Sequence, residues 1–155
     1  MRGAILVPGS YDPVTRGHLY LIEQASKMAD VVYAAIFVNP EKSYRFPLET
    51  RLSLLRAACA HLPNVTVVSD GGRVGDFAAA NGVSAILKGI RSEVDFLYER
   101  DMADYNRAGG FETLLLPAPP ELREISSTAL RAALDRGEPL SPYLPENVAV
   151  LLQNS

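Results

Sequence analysis

The sequence predicts a single α/β domain, residues 1–155, in which a doubly wound parallel sheet of five strands carries helices on both faces. Short β-branched runs alternate with longer amphipathic stretches along the chain, which is typical of β-α-β units. The strands are apolar at nearly every position, as strands covered on both faces are. At 155 residues, with 48% hydrophobic and 21% charged residues, the chain has the size and composition of one globular domain.

Each predicted strand is a short apolar or β-branched run that ends at turn-forming residues. Pro8-Gly9 ends the first run, and Asn39-Pro40 ends the second. The fifth run leads into a proline-rich loop. In chain order, the strands are predicted at residues 4–7, 31–38, 65–68, 85–87 and 113–116.

The predicted helices lie between and after these strands, and most have a start or stop signal. The first covers residues 17–29, where apolar residues recur at helical spacing, and the second is entered just after Pro47. Asn81-Gly82 closes the third, residues 74–80. Ser92 can cap the fourth, which extends to residue 107 and stops at Gly109-Gly110. Two more follow the last strand, at residues 127–135 and from Pro145.

A Rossmann-like sheet of this kind binds ligands beyond the carboxyl ends of its strands, so the segments that follow the strands are the candidate site. After the first strand, Gly9 permits a tight turn and Ser10 supplies a hydroxyl group. His18 follows at the start of a helix, where unpaired N–H groups and the helix dipole favour a phosphate. A lone histidine is more often a surface or structural residue, but this position favours a functional role for His18.

Three further segments place anion-binding groups at the same edge of the sheet. Lys88 and Arg91 bracket Gly89, which permits close approach of a ligand, and Lys42 lies in the loop after the second strand. The hydroxyl residues 126–128 open a helix, where they can cap it or hold outer phosphates. Each segment alone has an ordinary structural explanation. Together, four anion-compatible segments on one edge predict a polyphosphate ligand.

Composition excludes several other classes of function. The formal net charge of −3 argues against a general nucleic-acid binder. One cysteine, Cys59, and two histidines exclude a cysteine-based zinc site and a multi-histidine metal site. No apolar run approaches the ~20 residues of a membrane span, and no signal peptide is evident, so we expect a cytoplasmic protein. Neither a catalytic triad nor a P-loop pattern is present. This favours a direct transfer reaction, in which the phosphate of an acceptor molecule itself attacks the polyphosphate ligand and the protein positions the two and neutralises charge.

These segments resemble those of the bacterial phosphopantetheine adenylyltransferases, which belong to the nucleotidyltransferase superfamily. Residues 9–18 are similar to the T/S-x-G-H region of the superfamily, and the resemblance extends from about residue 4 to residue 152. The segments that narrow it to this family are residues 39–42, 88–91, 95–99, 102–103, 106–107, 125–127 and 144–148.

The resemblance implies transfer of the adenylyl group of ATP to 4′-phosphopantetheine, which gives dephospho-coenzyme A and pyrophosphate. It implies Mg²⁺ held mainly by the ATP phosphates rather than by protein side chains, and a homohexamer. The implied catalytic residues are His18, Lys42 and Ser10, and the implied acceptor site contains Ser10, Lys42, Val74 and Lys88. The implied ATP site contains Ser10, Tyr11, His18, Gly89, Ile90, Arg91, Glu99, Leu122, Arg123, Glu124, Ile125, Ser126, Ser127 and Thr128.

Two departures from the family pattern keep alternatives open, and the simpler one is Leu97, which lies where an acidic residue is common. Leu122-Arg123-Glu124 stands where the family usually carries aromatic residues, and residues 123–128 also resemble the nicotinamide or nicotinate mononucleotide adenylyltransferases. The nearest alternative is therefore the same chemistry with another phosphorylated acceptor, such as nicotinate mononucleotide. A catalytically silent nucleotide-binding homologue is a more distant one, and a purely structural assembly protein is the most distant.

Overall fold

The structure, a computed structural model, describes residues 3–155, which form five strands and six α-helices. The strands are β1 (Ala4–Gly9), β2 (Val31–Phe37), β3 (Val65–Asp70), β4 (Val83–Ile90) and β5 (Glu112–Pro117). The helices are α1 (Arg16–Met28), α2 (Leu48–Cys59), α3 (Val74–Ala80), α4 (Glu93–Ala108), α5 (Ser127–Asp135) and α6 (Glu146–Gln153). A single 3₁₀ turn, Pro120–Leu122, lies in the described loop after β5.

The five strands form one sheet in the order β3-β2-β1-β4-β5, and every neighbouring pair is parallel. The chain therefore builds outwards from β1 in one direction and then in the other, as the predicted doubly wound topology requires. Because the strands are parallel, their carboxyl ends meet at one edge of the sheet. The loops after β1, β2, β4 and β5 are thereby brought to the same edge.

The core lies on both faces of the sheet because successive strand residues point to opposite sides. On β1, Ile5 and Val7 face the side covered by α1, α2, α5 and α6. Leu6 faces the other side, where it belongs to a cluster with Ala35 and Ile86, against which Phe77 of α3 packs. Burial of the Ile, Leu and Val side chains, each worth roughly 1.5–3 kcal/mol when complete, stabilises the sheet whose strand ends carry the site. The predicted helices on both faces are confirmed.

The predicted and observed elements differ most at β4. Residues 85–87 were predicted, but the strand continues to Ile90, and Lys88, Gly89 and Ile90 pair with β5. Hydrogen bonds from the neighbouring strand outweigh the turn-like character of a lysine and a glycine. The cationic segment is therefore the end of a rigid strand rather than a loop. By contrast, α3 and α5 have the predicted bounds.

Candidate active site

Two neighbouring cavities open at the carboxyl edge of the sheet. The larger has a volume of about 400 Å³ and the smaller about 300 Å³. Both are lined by Tyr11, His18, Ser127 and Thr128, so these four residues form the wall between them. His18 thus faces both cavities, which is where a group must lie if it acts on an atom passed from one ligand to another.

The structure brings all six of the predicted phosphate-facing residues to these cavities. Lys88 and Arg91 line the larger cavity, and Ser10 and Lys42 line the smaller. His18 and Ser127 line both. The residues come from four separate segments of the chain and meet because each segment follows or ends a strand of the same parallel sheet.

The position of His18 is fixed by its hydrogen bonds to Thr15, the N-cap residue of α1. The Thr15 backbone N–H donates to His18 Nδ1 at 3.0 Å, and the His18 backbone N–H donates to Thr15 Oγ1 at 3.4 Å. This reciprocal pair is a capping box in which the imidazole replaces the usual carboxylate. Since Nδ1 accepts a hydrogen bond, the ring proton of the neutral imidazole is on Nε2, which can donate to a ligand.

The His18 ring is neutral at neutral pH. Burial lowers the pKa of His18 to about 4, and the cations Arg91 and Lys88 act in the same direction.

The sequence predicted unpaired backbone N–H groups around the His18 ring, and that prediction is largely wrong. The N–H of Arg16 donates to the Tyr143 carbonyl at 2.8 Å, and that of His18 is used by Thr15.

Tyr11, rather than Gly9, makes the turn after β1. Tyr11 has a φ of 48°, whereas Gly9 is the last residue of the strand. The Tyr11 ring is buried, its hydroxyl donates to the Val7 carbonyl at 2.7 Å, and burial raises its pKa. A Cβ atom at Gly9 would lie 3.2 Å from that ring. Gly9 therefore provides space for the Tyr11 ring, which contacts the His18 ring at a centroid distance of 4.8 Å.

Ser10 and Lys42 meet at the mouth of the smaller cavity. The Lys42 Nζ atom donates to Ser10 Oγ at 3.3 Å, although Lys42 is exposed on the loop after β2. That loop is held by Asp12, which is buried and accepts from the backbone N–H groups of Arg45 at 2.8 Å and Phe46 at 2.9 Å. A buried carboxylate thus ties the loop that carries Lys42 to the loop that carries Ser10.

The cations of the larger cavity each have a carboxylate partner. Lys88 Nζ lies 3.7 Å from Glu99 Oε1, and Arg91 Nε lies 3.8 Å from Asp95 Oδ2. Glu99 is buried, so it is not the exposed helix carboxylate that its position in α4 would otherwise suggest. These ion pairs keep the cations oriented in the absence of a ligand and reduce the charge that a ligand must compensate.

Gly89 has a packing role as well as a place in the cavity wall. It lines the larger cavity, as expected. A Cβ atom on it would lie 2.9 Å from Leu21 Cδ1, so the absence of a side chain at Gly89 lets α1 pack closely on β4. The sequence predicted that a ligand approaches the backbone at Gly89. On the side where a Cβ atom would lie, the group that approaches closely is instead Leu21 of α1.

The N-terminus of α5 supplies hydrogen-bond donors to both cavities. Ser126 Oγ caps the helix by accepting from the Ala129 N–H at 3.0 Å. Ser127 Oγ donates to the Pro13 carbonyl at 2.8 Å, which anchors α5 to the loop after β1. The N–H groups of Ser127 and Thr128 precede the first intrahelical hydrogen bond, so helix geometry leaves them for a ligand or water.

Four predicted site residues line neither of these two cavities. The Val74 side chain packs against the core cluster beneath α3. Ile90 ends β4 opposite Pro117, and Arg123 Nε donates to the Ala118 carbonyl at 3.2 Å. Glu124 is exposed. Of the segment that departs from the family pattern, Leu122 and Ile125 do line the larger cavity.

Sequence reasoning missed the buried charges that support the site. These are Asp12 and Arg51, the latter only 2% exposed. Arg131, which is partly exposed, was missed as well; its Nη1 atom donates to the Asp12 carbonyl at 2.7 Å. A signal for Arg51 was present, because it lies three residues after Leu48 and four before Leu55 on the apolar stripe of α2. A charge on such a stripe indicates a buried, partnered side chain.

A neutral histidine donor, paired cations and a helix N-terminus around two joined cavities define a class of protein, an α/β protein that binds nucleotide phosphates. The cytidylyltransferase-like family matches residues 6–133. The chain belongs to this family and, within it, is a close relative of the phosphopantetheine adenylyltransferases.

Two of these relatives align with nearly the whole chain. The phosphopantetheine adenylyltransferase of Arthrobacter sp. (strain FB24) is 41% identical over 150 residues, which cover 96% of this chain and 94% of the relative. That of Corynebacterium diphtheriae is 40% identical over 154 residues, which cover 98% of this chain and 96% of the relative. The family resemblance seen in the sequence segments is confirmed.

Proposed function

We propose that this chain transfers the AMP unit of ATP to 4′-phosphopantetheine and releases pyrophosphate, giving dephospho-coenzyme A. The observation that carries the proposal is the position of His18 in the wall between two phosphate-compatible cavities. The near full-length similarity to phosphopantetheine adenylyltransferases supports this choice of acceptor.

We assign the larger cavity to ATP and the smaller to the phosphate of the acceptor. The larger cavity is lined by ten of the residues that the family resemblance assigned to ATP: Tyr11, His18, Gly89, Arg91, Glu99, Leu122, Ile125, Ser126, Ser127 and Thr128. The smaller cavity contains the Ser10–Lys42 pair. An acceptor phosphate beside Lys42 would then approach the α-phosphorus across the ring of His18.

The reaction that fits this arrangement is a direct in-line displacement. An oxygen of the acceptor phosphate forms a bond to the α-phosphorus while the bond from that phosphorus to the bridging oxygen breaks, and pyrophosphate leaves with the electron pair. Negative charge grows on the oxygens around the α-phosphorus. The Nε2–H of His18 and the ammonium of Lys42 are donors that stabilise this charge in place. No covalent enzyme intermediate is needed, because the protein positions the reactants and neutralises charge.

Mg²⁺ enters this proposal with ATP. Within residues 3–155, no three His, Cys, Asp or Glu side chains come together in a group that could hold a metal ion. Asp95 and Glu99 line the larger cavity, but each already faces a cation. This donor set fits a magnesium ion bound mainly by phosphates and water, as is usual for Mg²⁺. When bound, the ion neutralises the triphosphate and polarises its oxygens.

The proposal includes a homohexamer and a cytoplasmic location. Helix α4 presents Val94, Leu97, Tyr98 and Tyr105 to solvent at helical spacing, each at least 49% exposed, and an apolar helix face of this kind favours self-association. Light scattering coupled to size-exclusion chromatography measures the assembly. We expect a cytoplasmic location because the proposed reaction consumes ATP. In the described part of the chain, no helix has both the length and the apolar character of a membrane span.

Pyrophosphate release tests the function. The purified protein is incubated with ATP, Mg²⁺ and either 4′-phosphopantetheine or nicotinate mononucleotide, with His18→Ala as the inactive control. We expect release with 4′-phosphopantetheine only. Release with nicotinate mononucleotide alone would identify the other acceptor. Binding of ATP without release from any phosphorylated acceptor would identify a silent homologue and refute the proposal.

A further inference from the structure

Two cations approach one aromatic ring beside the smaller cavity. The Cζ atom of Arg51 lies 4.0 Å from the centroid of the Tyr44 ring, and Nζ of Lys42 lies 5.5 Å from it. Both distances are within the ~6 Å over which a ring attracts a cation. The Tyr44 ring therefore connects a buried guanidinium group to the exposed ammonium group that we assign to the acceptor's phosphate.

Arg51 is the fixed end of this connection. It is 2% exposed, its Nη1 atom donates to the Ser10 carbonyl at 3.0 Å, and its Nε atom donates to the Phe46 carbonyl at 3.0 Å. A buried charge is stable only while such partners are kept, so the guanidinium cannot move freely. The face that it presents to Tyr44 is fixed as well.

The backbone on both sides of Tyr44 is also held. Asp12 accepts from the N–H groups of Arg45 and Phe46, directly after Tyr44. The Asn39 N–H donates to the Tyr44 hydroxyl oxygen at 3.0 Å, which closes the loop at its other end. Lys42 differs from these residues because it is exposed and has a long side chain, whose ordering costs conformational entropy.

We propose that Tyr44 is a positioning residue for the transfer reaction: its ring, held by Arg51, orients the Lys42 ammonium towards Ser10 and the acceptor's phosphate. This inference rests on the proposed function of Lys42. Tyr44 lines neither of the two cavities, so it acts through Lys42 rather than by touching either substrate.

The first test compares Tyr44→Leu, which removes the ring, with Tyr44→Phe, which keeps the ring and removes the hydroxyl. We expect Tyr44→Leu to lower kcat/KM for 4′-phosphopantetheine by about two- to five-fold, the effect of one exposed cation–π contact. The KM for ATP should not change, and Tyr44→Phe should retain most of the acceptor kcat/KM. Tyr33→Leu is the matched control, because it removes a partly buried ring that packs on Phe77 at the other face of the sheet.

The second test is a double-mutant cycle with Lys42→Ala. If the ring acts through Lys42, Tyr44→Leu has no further effect once the ammonium is gone. An equal loss in both backgrounds, or unchanged acceptor kinetics in Tyr44→Leu, would overturn the inference. A Tyr44→Phe variant as impaired as Tyr44→Leu would overturn it as well.

A third measurement does not depend on turnover. In the NMR spectrum of the ligand-free protein, the ε-methylene protons of Lys42 should carry an upfield ring-current shift that Tyr44→Phe keeps and Tyr44→Leu abolishes. If the wild type releases no pyrophosphate but shows this shift, the proposed function fails and the orientation by Tyr44 stands. If the wild type is active and the shift is absent, the inference about Tyr44 fails alone.

Discussion

Replacing His18 by alanine removes a donor that faces both cavities. The Thr15 backbone N–H donates to His18 Nδ1 at 3.0 Å, so the donor that the substitution removes is the Nε2–H. This hydrogen bond holds the ring in place before the substrates bind. Loss of one such preorganised donor lowers kcat by roughly 10²–10³, or about 2.7–4 kcal/mol of transition-state stabilisation. We expect His18→Ala to lose this much kcat, with a much smaller change in the KM for ATP, since the interaction strengthens only as charge develops.

The same substitution has a smaller and separable effect on stability. It removes half of the capping box, worth about 0.5–2 kcal/mol, and the contact with the Tyr11 ring, worth about 0.5–1.5 kcal/mol. The pKa of His18 falls from 6.5 to about 4 on folding. Above pH 6.5 the ring is neutral in both the folded and the unfolded protein. As the pH falls from 6.5 towards 4, the unfolded protein binds a proton that the folded protein does not, so the free energy of unfolding decreases. His18→Ala should show a shallower loss of stability over this interval.

Pyrophosphate release under saturating ATP and 4′-phosphopantetheine measures the rate, and urea unfolding at several pH values measures the stability. His61→Ala is the matched control, because the second histidine is exposed and lies 3.5 Å from Glu23 Oε2, away from both cavities. The control should keep wild-type turnover. A folded His18→Ala protein with turnover within tenfold of the wild type would refute the role of the Nε2–H.

Three further predictions concern individual ionisable groups. The His18 ring should titrate in the ligand-free protein with a midpoint near pH 4, because of its burial and the nearby cations, and a midpoint near 6.5 by NMR would contradict the environment described. Glu99→Gln should lower the free energy of unfolding by about 1–2 kcal/mol, less than for a fully buried pair because the Lys88 side chain is partly exposed. Urea denaturation measures this loss. The control is Asp101→Asn on the same helix, where the Asp101 side chain is 74% exposed, and it should lower the free energy of unfolding by less than about 0.5 kcal/mol. Equal losses in Glu99→Gln and Asp101→Asn would count against the Lys88–Glu99 pair. Burial raises the pKa of the Cys59 thiol to about 12, so Ellman's reagent should label it slowly at pH 8 in the native protein and rapidly after unfolding. Fast labelling of the native protein would show that the thiol is accessible.

Local signals explain which elements could be predicted from the sequence. Asn81-Gly82 and Ser126 mark helix ends by their own backbone and capping preferences, and α3 and α5 have the predicted bounds. The extension of β4 through Lys88 and Gly89 depends on hydrogen bonds from β5, which is distant along the chain. No window of local sequence contains that information.

The same distinction applies to the site. Ser10, His18, Lys42 and Ser127 could be placed together because each belongs to a segment that follows the carboxyl end of a parallel strand. The supporting role of Arg51 could not be derived in the same way, since its partners, the Ser10 and Phe46 carbonyls, are identified only by the packing of α2. The tautomer of His18 likewise depends on the Thr15 N–H.

The central place of β1 in the sheet makes binding inseparable from global folding. On one side of β1 stand the strands and loops of the early chain, including Lys42, and on the other those of the later chain, including Lys88. A fragment that contains only one of these halves supplies the residues on one side of the cleft. Its cations then lack the cationic residues that the other half contributes to the same ligand site. Competence to bind both substrates therefore requires two distant stretches of polypeptide to pair with the same central strand.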